Sequence, residues 1–185
     1  MSETNFQRSG RHLRQFIKFG VVGGSGIVVN LAVTVVLKWL VPHYQRRVFA
    51  IPATPFGVYW YHVIAVAAFV VANTWNYQLN RSWTFRATAT HTPWWSGLGS
   101  FMSIGLVALA VGLGIQTLLL KTDSPLYLGR IDWLDDSNGL RTKLYWATLI
   151  QIGVTMPINF VVNKLWTFRS ARFRRAVTVA GSDAE

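Results

Sequence analysis

The chain has 185 residues, of which 51% are apolar and 14% are charged, and its mean hydropathy is +0.30. A water-soluble domain usually carries about a quarter charged residues, so this composition predicts an integral membrane protein. The net charge of +11 does not indicate nucleic acid as a partner, because most Lys and Arg residues flank apolar segments, as membrane insertion requires. The absence of cysteine excludes disulfides, thiolate catalysis and Cys-based metal sites.

Four apolar segments predict membrane-spanning helices at about residues 16–41, 58–80, 97–120 and 144–166. Each is close to the roughly 20 residues that cross a bilayer as a helix, and a helix satisfies its own backbone hydrogen bonds in lipid. We therefore expect an all-α four-helix bundle. It forms one membrane domain, 16–170, between a basic N-terminal tail, 1–15, and a C-terminal tail, 171–185.

The distribution of Lys and Arg predicts the orientation of the spans. The N-terminal tail with Lys18, the second loop and the C-terminal region from Lys164 hold eleven of these residues. The first and third loops with Lys38 hold seven, beside four Asp. The positive-inside rule then places both termini in the cytoplasm. An even number of spans agrees with this, because it puts both termini on the same side of the membrane.

A motif at the end of the second apolar segment recurs 83 residues later, at the end of the fourth. The matched residues are Asn76, Asn80, Trp83, Thr84, Phe85 and Arg86 in the first copy and Asn159, Asn163, Trp166, Thr167, Phe168 and Arg169 in the second. Arg81 corresponds to Lys164, so the cationic position is also kept. The repeat predicts two helical hairpins that enter the membrane in the same sense.

The amides near these motifs are candidate substrate-binding residues. Asn73, Asn76 and Asn80 share one helix face at i, i+3, i+7 spacing, and Asn159 and Asn163 repeat the pattern at i, i+4. Amides in hydrocarbon need partners, so they either bond between helices or form a polar slot for a lipid headgroup.

Two cations favour the slot over simple helix–helix bonding. Arg81 and Lys164 each follow directly on an amide face, and guanidinium and ammonium groups both bind phosphate. Six further residues are additional candidates, each with an ordinary explanation as a snorkelling charge, an interfacial anchor or a helix–helix contact. They are Arg86, Arg169, Asn30, Gln116, Trp83 and Trp166.

The remaining polar and small residues favour structural interpretations. Gly20 and Gly24, like the glycines of the third segment (Gly105, Gly112 and Gly114), suit close helix packing. The acids of the third loop (Asp132, Asp135 and Asp136) are typical of a solvated surface. No acid lies inside a span, so the carboxylate of a proton-coupled drug exporter is missing, and no P-loop is present to couple ATP. We expect neither an enzyme nor a cofactor or metal site, because the loop acids suit a solvated surface and the four His residues share no ligand spacing.

The two motifs resemble those of the GtrA-like family of small four-span bacterial membrane proteins. The resemblance includes the sequence Arg-Gln-Phe-Ile-Lys-Phe-Gly-Val-Val-Gly-Gly from Arg14, and the Asn-x3-Asn-basic-x-Trp-Thr-Phe motifs Asn76–Phe85 and Asn159–Phe168. It covers about residues 11–170. The first and third loops are longer than in the shorter members, which points to a partner site on the outer face.

The resemblance implies a protein of the bacterial inner membrane that moves a polyprenyl-phosphate-linked sugar to the outer leaflet for cell-surface polysaccharide synthesis. The lipid-linked sugar and membrane lipids would then be its partners. The alternative is a non-transporting anchor that recruits a polyprenyl-phosphate glycosyltransferase. Because four short helices enclose little volume, we also expect a homo-oligomer.

Overall fold

The computed structural model describes residues 5–54, 57–84 and 93–158 of the chain, and these are mostly helical. The helices are α1 (Asn5–Leu40), α2 (Trp60–Leu79), α3 (Trp94–Leu120) and α4 (143–158, where the described residues end). A π-helical turn, Asn80–Thr84, continues α2. The helical structure agrees with the predicted all-α class, and α1 begins well before the first predicted span.

The ends of the helices follow from local chemistry. Pro42 lies just beyond α1, where the lack of an N–H group prevents the helix from continuing. At the start of α2, the backbone N–H of Tyr59 donates to His62 Nδ1 at 3.2 Å, which satisfies a group that the helix leaves free. Pro93 directly precedes α3, a position where its fixed φ favours helix initiation.

The loops at one end of the helices contain their own structure. In the first loop, β1 (Arg47–Ala50) and β2 (Gly57–Tyr59) pair antiparallel, with an irregularity between Arg47 and Phe49. The third loop contains two short 3-10 turns, Leu128–Arg130 and Gly139–Arg141. The sequence did not predict the strand pair, which is too short to show an alternating pattern.

Consecutive helices pack against each other. Trp75 Nε1 on α2 donates to Ser25 Oγ on α1 at 3.1 Å. Between α2 and α3, His62 Nε2 lies 2.8 Å from Thr117 Oγ1. Between α3 and α4, Gln116 Nε2 donates to Thr148 Oγ1 at 3.4 Å. Polar contacts therefore join each helix to the next, as expected for helices in lipid.

The largest buried apolar cluster lies where the loops meet the helix ends. It joins the end of α1, the start of α2, the end of α3 and the start of α4 to the first and third loops. Its buried members are Tyr44, Tyr61, Ile64, Leu119, Leu120, Leu128, Leu134, Leu144 and Ala147. The first and third loops therefore share one end of the molecule, which we call the loop end.

At each of these three helix–helix contacts, a glycine lets a side chain of the neighbouring helix approach the backbone closely. A Cβ atom at Gly26 would overlap the Asn76 carboxamide, one at Gly105 would meet the Phe69 ring, and one at Gly112 would overlap the Gln151 carboxamide. Among the described residues, no atom lies within 4 Å of a Cβ position at Gly24 or Gly114. The packing prediction is thus confirmed at Gly105 and Gly112, and at Gly24 and Gly114 it stays a prediction.

The described helices vary in how well they fit a membrane span. Val21–Leu40 is long and apolar enough to cross, and Trp94–Ser103 with Gly105–Leu120 fits as one span bent by 44°. Only 17% of the first of these windows is buried, whereas the core helix of a soluble protein is mostly covered. Amides make α2 less apolar, and α4 is described only to residue 158. Four spans and the internal repeat remain predictions.

Candidate functional site

Arg81 lies at the end of α2 opposite the loop end, within the π-helical turn. Its Nη1 donates to Tyr77 Oη at 2.9 Å, and Tyr77 Oη in turn donates to the Trp94 carbonyl at 3.1 Å. Trp94 Nε1 donates back to Gln78 Oε1 at 2.9 Å. This chain of hydrogen bonds connects the start of α3 to the end of α2 and holds the Arg81 guanidinium in place.

The positive charge of Arg81 has no carboxylate beside it in the described part of the chain. Every acid among those residues belongs to the third loop, at the loop end. The Tyr77 hydroxyl engages one guanidinium N–H group, which leaves other donors of the planar fork for an anion. A partly buried arginine without a counter-ion is a typical feature of a phosphate-binding site.

Two buried amides lie beside Arg81 on the same helix. Asn80 is only 7% exposed, and Asn76 packs against Gly26 of α1. The Oδ1 atoms of Asn76 and Asn80 are both buried without a hydrogen-bond partner among the described residues. A buried polar group without a hydrogen-bond partner lowers the stability of a protein by about 1–3 kcal/mol. These two oxygens are therefore candidate acceptors for hydrogen bonds from a ligand.

Asn73 is placed differently from the other two. Its Nδ2 donates to the Phe69 carbonyl at 2.9 Å within α2, and its Oδ1 lies 3.7 Å from the position of a Cβ atom built on Gly105 of α3. The i, i+3, i+7 spacing therefore distributes the amides between the α1 side and the α3 side of α2. Asn76 and Asn80 form the unpartnered pair.

A second amide pair lies between α3 and α4. Gln116 is 1% exposed, and its Oε1 has no partner among the described residues, although its Nε2 reaches Thr148. Gln151 Oε1 is likewise buried and unpartnered, against Gly112. Gly112 and Gln116 are one turn apart, so the two amides line one interface. The sequence predicts Gln116 as a candidate and places Gln151 on the helix face of Asn159 and Asn163, but no spacing rule reveals the contact of Gln151 with Gly112.

Two further predicted residues are described. Trp83 lies in the same π-helical turn as Arg81 and is 45% exposed, and the Asn30 carbonyl accepts from Thr34 Oγ1 at 2.9 Å on α1. The remaining predicted residues lie outside the described residues: Arg86, Asn159, Asn163, Lys164, Trp166 and Arg169. The joining of the two amide rows therefore stays a prediction.

Comparison with known families decides what kind of protein this is. Residues 18–168 match the family described as GtrA/DPMS, transmembrane domain, which is most of the chain. The chain belongs to the GtrA/DPMS transmembrane-domain family. Neither a curated protein nor a solved structure matches it.

Membership of the GtrA/DPMS family confirms the resemblance drawn from the two motifs. It makes the chain a membrane protein involved in handling lipid-linked sugars, in a family generally of transporter type rather than of enzymes. The match spans Asn76, Asn80 and Arg81 as well as the α3–α4 amides. The unpartnered amides thus belong to the shared domain and not to an extension of it.

The loop end of this GtrA/DPMS domain holds a second polar cluster. Tyr44 Oη is 2.8 Å from both carboxylate oxygens of Asp136, and Lys143 Nζ is 2.6 Å from Asp136 Oδ2. Burial, with the hydrogen bond to Asp136, raises the pKa of the Tyr44 hydroxyl well above its usual value. Asp136 has a left-handed φ of 62°, which Asp tolerates better than most residues.

The interpretation of all three loop acids as solvated is therefore wrong for Asp136. It holds for Asp135, whose pKa is lowered by hydrogen bonds from Ser137 and by Arg141, 2.8 Å away at the surface. Within the described residues, no group of three or more His, Cys, Asp or Glu side chains could hold a metal ion.

Proposed function

We propose that this protein moves a polyprenyl-phosphate-linked sugar across the bacterial inner membrane for cell-surface polysaccharide synthesis. The observation that carries the proposal is that Arg81, with no carboxylate beside it in the described part of the chain, directly follows a helix whose Asn76 and Asn80 Oδ1 atoms are buried and unpartnered there. A phosphodiester joined to a sugar offers both an anion and hydroxyl donors, so one ligand satisfies all three groups.

The phosphate is assigned to Arg81. Transfer of a phosphate into hydrocarbon is costly unless its charge is neutralised. Arg81 is braced by Tyr77, so its donors point from a fixed position, and less side-chain entropy is lost on binding. Lys164 is the expected second cation, since it takes the place of Arg81 in the repeat.

The sugar is assigned to the amides because the atoms without a partner in the described structure are amide oxygens. An amide oxygen accepts hydrogen bonds, so it complements a hydroxyl group and repels a phosphate oxygen. Gln116 and Gln151 supply two more such acceptors, closer to the loop end. At about 1.5 Å per residue, Asn80 lies roughly 30 Å from the start of α2, and Gln151 about 12 Å from the start of α4. Acceptors therefore occur at two depths.

Transport in liposomes tests this assignment. The full chain is reconstituted with a fluorescent short-chain prenyl-phosphate sugar, and transfer between leaflets is measured by quenching from outside. We expect Arg81→Ala with Lys164→Ala to slow transfer at least tenfold, because a lost charged contact to phosphate is worth about 1.5–3 kcal/mol.

The matched control changes two cations at the loop end. Arg47→Ala with Lys121→Ala removes the same charge, and we expect it to leave transfer unchanged because neither residue adjoins the amides. Equal rates for both double variants and the wild type would remove Arg81 and Lys164 from the site. Asn76→Leu with Asn80→Leu tests the sugar contact separately from the phosphate contact. We expect this variant to slow transfer of the prenyl-phosphate sugar and to leave transfer of a prenyl phosphate without sugar unchanged.

A non-transporting anchor for a glycosyltransferase is the second candidate function. It is favoured by the folded third loop, which leaves large apolar side chains exposed at the loop end. They are Leu126, Ile131, Trp133 and Leu140. If a glycosyltransferase co-purifies with the wild type, loses the interaction when Trp133 and Leu140 become Ser, and keeps it when Asn76 and Asn80 become Leu, the anchor is the better description.

A further inference from the structure

A cavity of about 710 Å³ opens at the loop end, beside the Tyr44–Asp136–Lys143 cluster. Its walls are the last turn of α1 and the segment 42–46 of the first loop. Lys38, His43 and Arg46 provide its basic side chains, and Asp136 provides the acidic one. Clefts that hold small ligands occupy about 300–1,000 Å³, so this volume suits a lipid headgroup.

The cavity is electropositive because its acid is already paired. Asp136 is bound by Lys143 at 2.6 Å and by Tyr44 at 2.8 Å. Lys38 and Arg46 form no ion pair with any carboxylate in the described part of the chain. Two cations therefore face the cavity without a counter-ion, in addition to His43.

The segment that carries these groups is held in place from three sides. Tyr44 is 3% exposed, and Gln45 Nε2 donates to the Leu120 carbonyl at 3.2 Å. The backbone N–H groups of Trp60 and Tyr61 donate to the carbonyls of Arg46 and Tyr44 at 3.1 and 2.9 Å. A fixed backbone reduces the entropy lost when a ligand binds.

We propose that this cavity binds a phosphoryl anion through Lys38 and Arg46. The ammonium and the guanidinium both suit phosphate oxygens, and basic pockets at the ends of membrane helices bind anionic headgroups. The phosphoryl group comes either from an anionic lipid or from a phosphate ester in solution. The site lies at the opposite end from Arg81 and shares no residue with the proposed transport site. A failed test of either site therefore leaves the other unaffected.

The lipid source is tested with the full chain in nanodiscs of phosphatidylcholine with a minor share of phosphatidylglycerol. Native mass spectrometry counts the phosphatidylglycerol that stays bound. We expect Lys38→Gln with Arg46→Gln to weaken retention roughly tenfold, from the contribution of two basic residues near a headgroup. Arg47→Gln with Lys121→Gln changes the same net charge at the same end, outside the cavity, and should retain lipid as the wild type does.

The soluble source is tested by titrating glycerol 3-phosphate into the same proteins in phosphatidylcholine nanodiscs. Equal lipid retention in all proteins, with glycerol phosphate binding lost only in the Lys38/Arg46 variant, supports the site with a soluble ligand. Equal behaviour of the two double variants in both measurements overturns the proposal. Circular dichroism confirms folding, which should persist because the Lys38 and Arg46 side chains form no ion pair with a carboxylate of the described residues, and the Arg46 backbone bonds do not depend on its side chain.

Discussion

Tyr44 of the first loop, Asp136 of the third loop and Lys143 at the start of α4 share one partly buried cluster. The Lys143 side chain is 10% exposed and that of Asp136 is 27% exposed. Lys143 also donates its backbone N–H to Asp136 at 2.9 Å and its Nζ to the Leu134 carbonyl at 3.2 Å. Loss of one member therefore leaves the others incompletely paired.

We predict strong energetic coupling between Asp136 and Lys143. Asp136→Asn or Lys143→Met alone should lower the free energy of unfolding by on the order of 3 kcal/mol, because each leaves a buried charge unpaired. The double variant should lose clearly less than the sum, as measured by thermal unfolding in detergent. Asp135→Asn, at the surface, is the control and should cost less than about 1 kcal/mol. Additive losses would contradict a shared cluster.

Single residues of this cluster could not be recognised from the sequence. Tyr44 and Asp136 are 92 residues apart, and Asp136 stands next to an exposed acid of the same type. The amides were more accessible to prediction. Asn76 and Asn80 are polar residues in an apolar helix, so their burial followed from composition, whereas the glycine beneath Asn76 belongs to another helix.

The α1–α2 pair depends on which glycine faces the neighbouring helix. Gly26 lies directly on Asn76, whereas Gly24, two residues earlier, has no neighbour within 4 Å in the described part of the chain. Consecutive helical positions differ by about 100° in direction, because 3.6 residues make one turn. A four-residue spacing in the sequence can therefore predict a glycine face without showing which glycine is in contact, so the spacing of Gly20 and Gly24 does not reveal the contact of Gly26 with Asn76.

We predict opposite effects of alanine at these two glycines. Gly26→Ala should destabilise the protein by about 1–3 kcal/mol, because the new methyl group displaces Asn76. Gly24→Ala should be neutral or stabilising by up to about 1 kcal/mol, from the better helix propensity of alanine. Melting temperatures of the two purified variants, compared with the wild type, check this. A melting temperature for Gly26→Ala at or above that of the wild type would contradict the close packing.

The bend divides α3 into a first part that contacts the end of α2 and a second part that contacts α4. Trp94–Ser103 and Gly105–Leu120 differ in direction by 44°. The first part supports Tyr77 and Arg81 through Trp94, and the second part carries Gln116. The sequence predicts a span at 97–120 but not its bend, because no proline lies within it and glycines alone do not specify a bend.

On the scale of the whole molecule, the helices place the two loops with internal structure at one end and Arg81 at the other. The contact between Tyr44 and Asp136 joins the first and third loops directly. The charge distribution predicts that the loop end faces outward and Arg81 faces the cytoplasm. The match to a transmembrane-domain family supports insertion in a membrane but gives no orientation.

We predict that single cysteines will report this arrangement, since the chain has no cysteine of its own. Val48→Cys and Leu140→Cys, both exposed at the loop end, should react with an impermeant maleimide added outside intact cells. Ser82→Cys, next to Arg81, should react only after the membrane is opened. Labelling of Val48→Cys and Leu140→Cys from different sides would contradict the shared loop end, and labelling of both only after lysis would reverse the orientation.

The buried aromatic and leucine side chains at the loop end contrast with the small ones along α2. Between Ile64 and Tyr77, the buried residues of α2 are Ala65, Ala68 and Ala72. Small contacts resist tilting less than interlocked large ones do. We therefore expect the helices to pivot about the loop end and to move apart at the opposite end. In the proposed transport, the sugar headgroup would enter there.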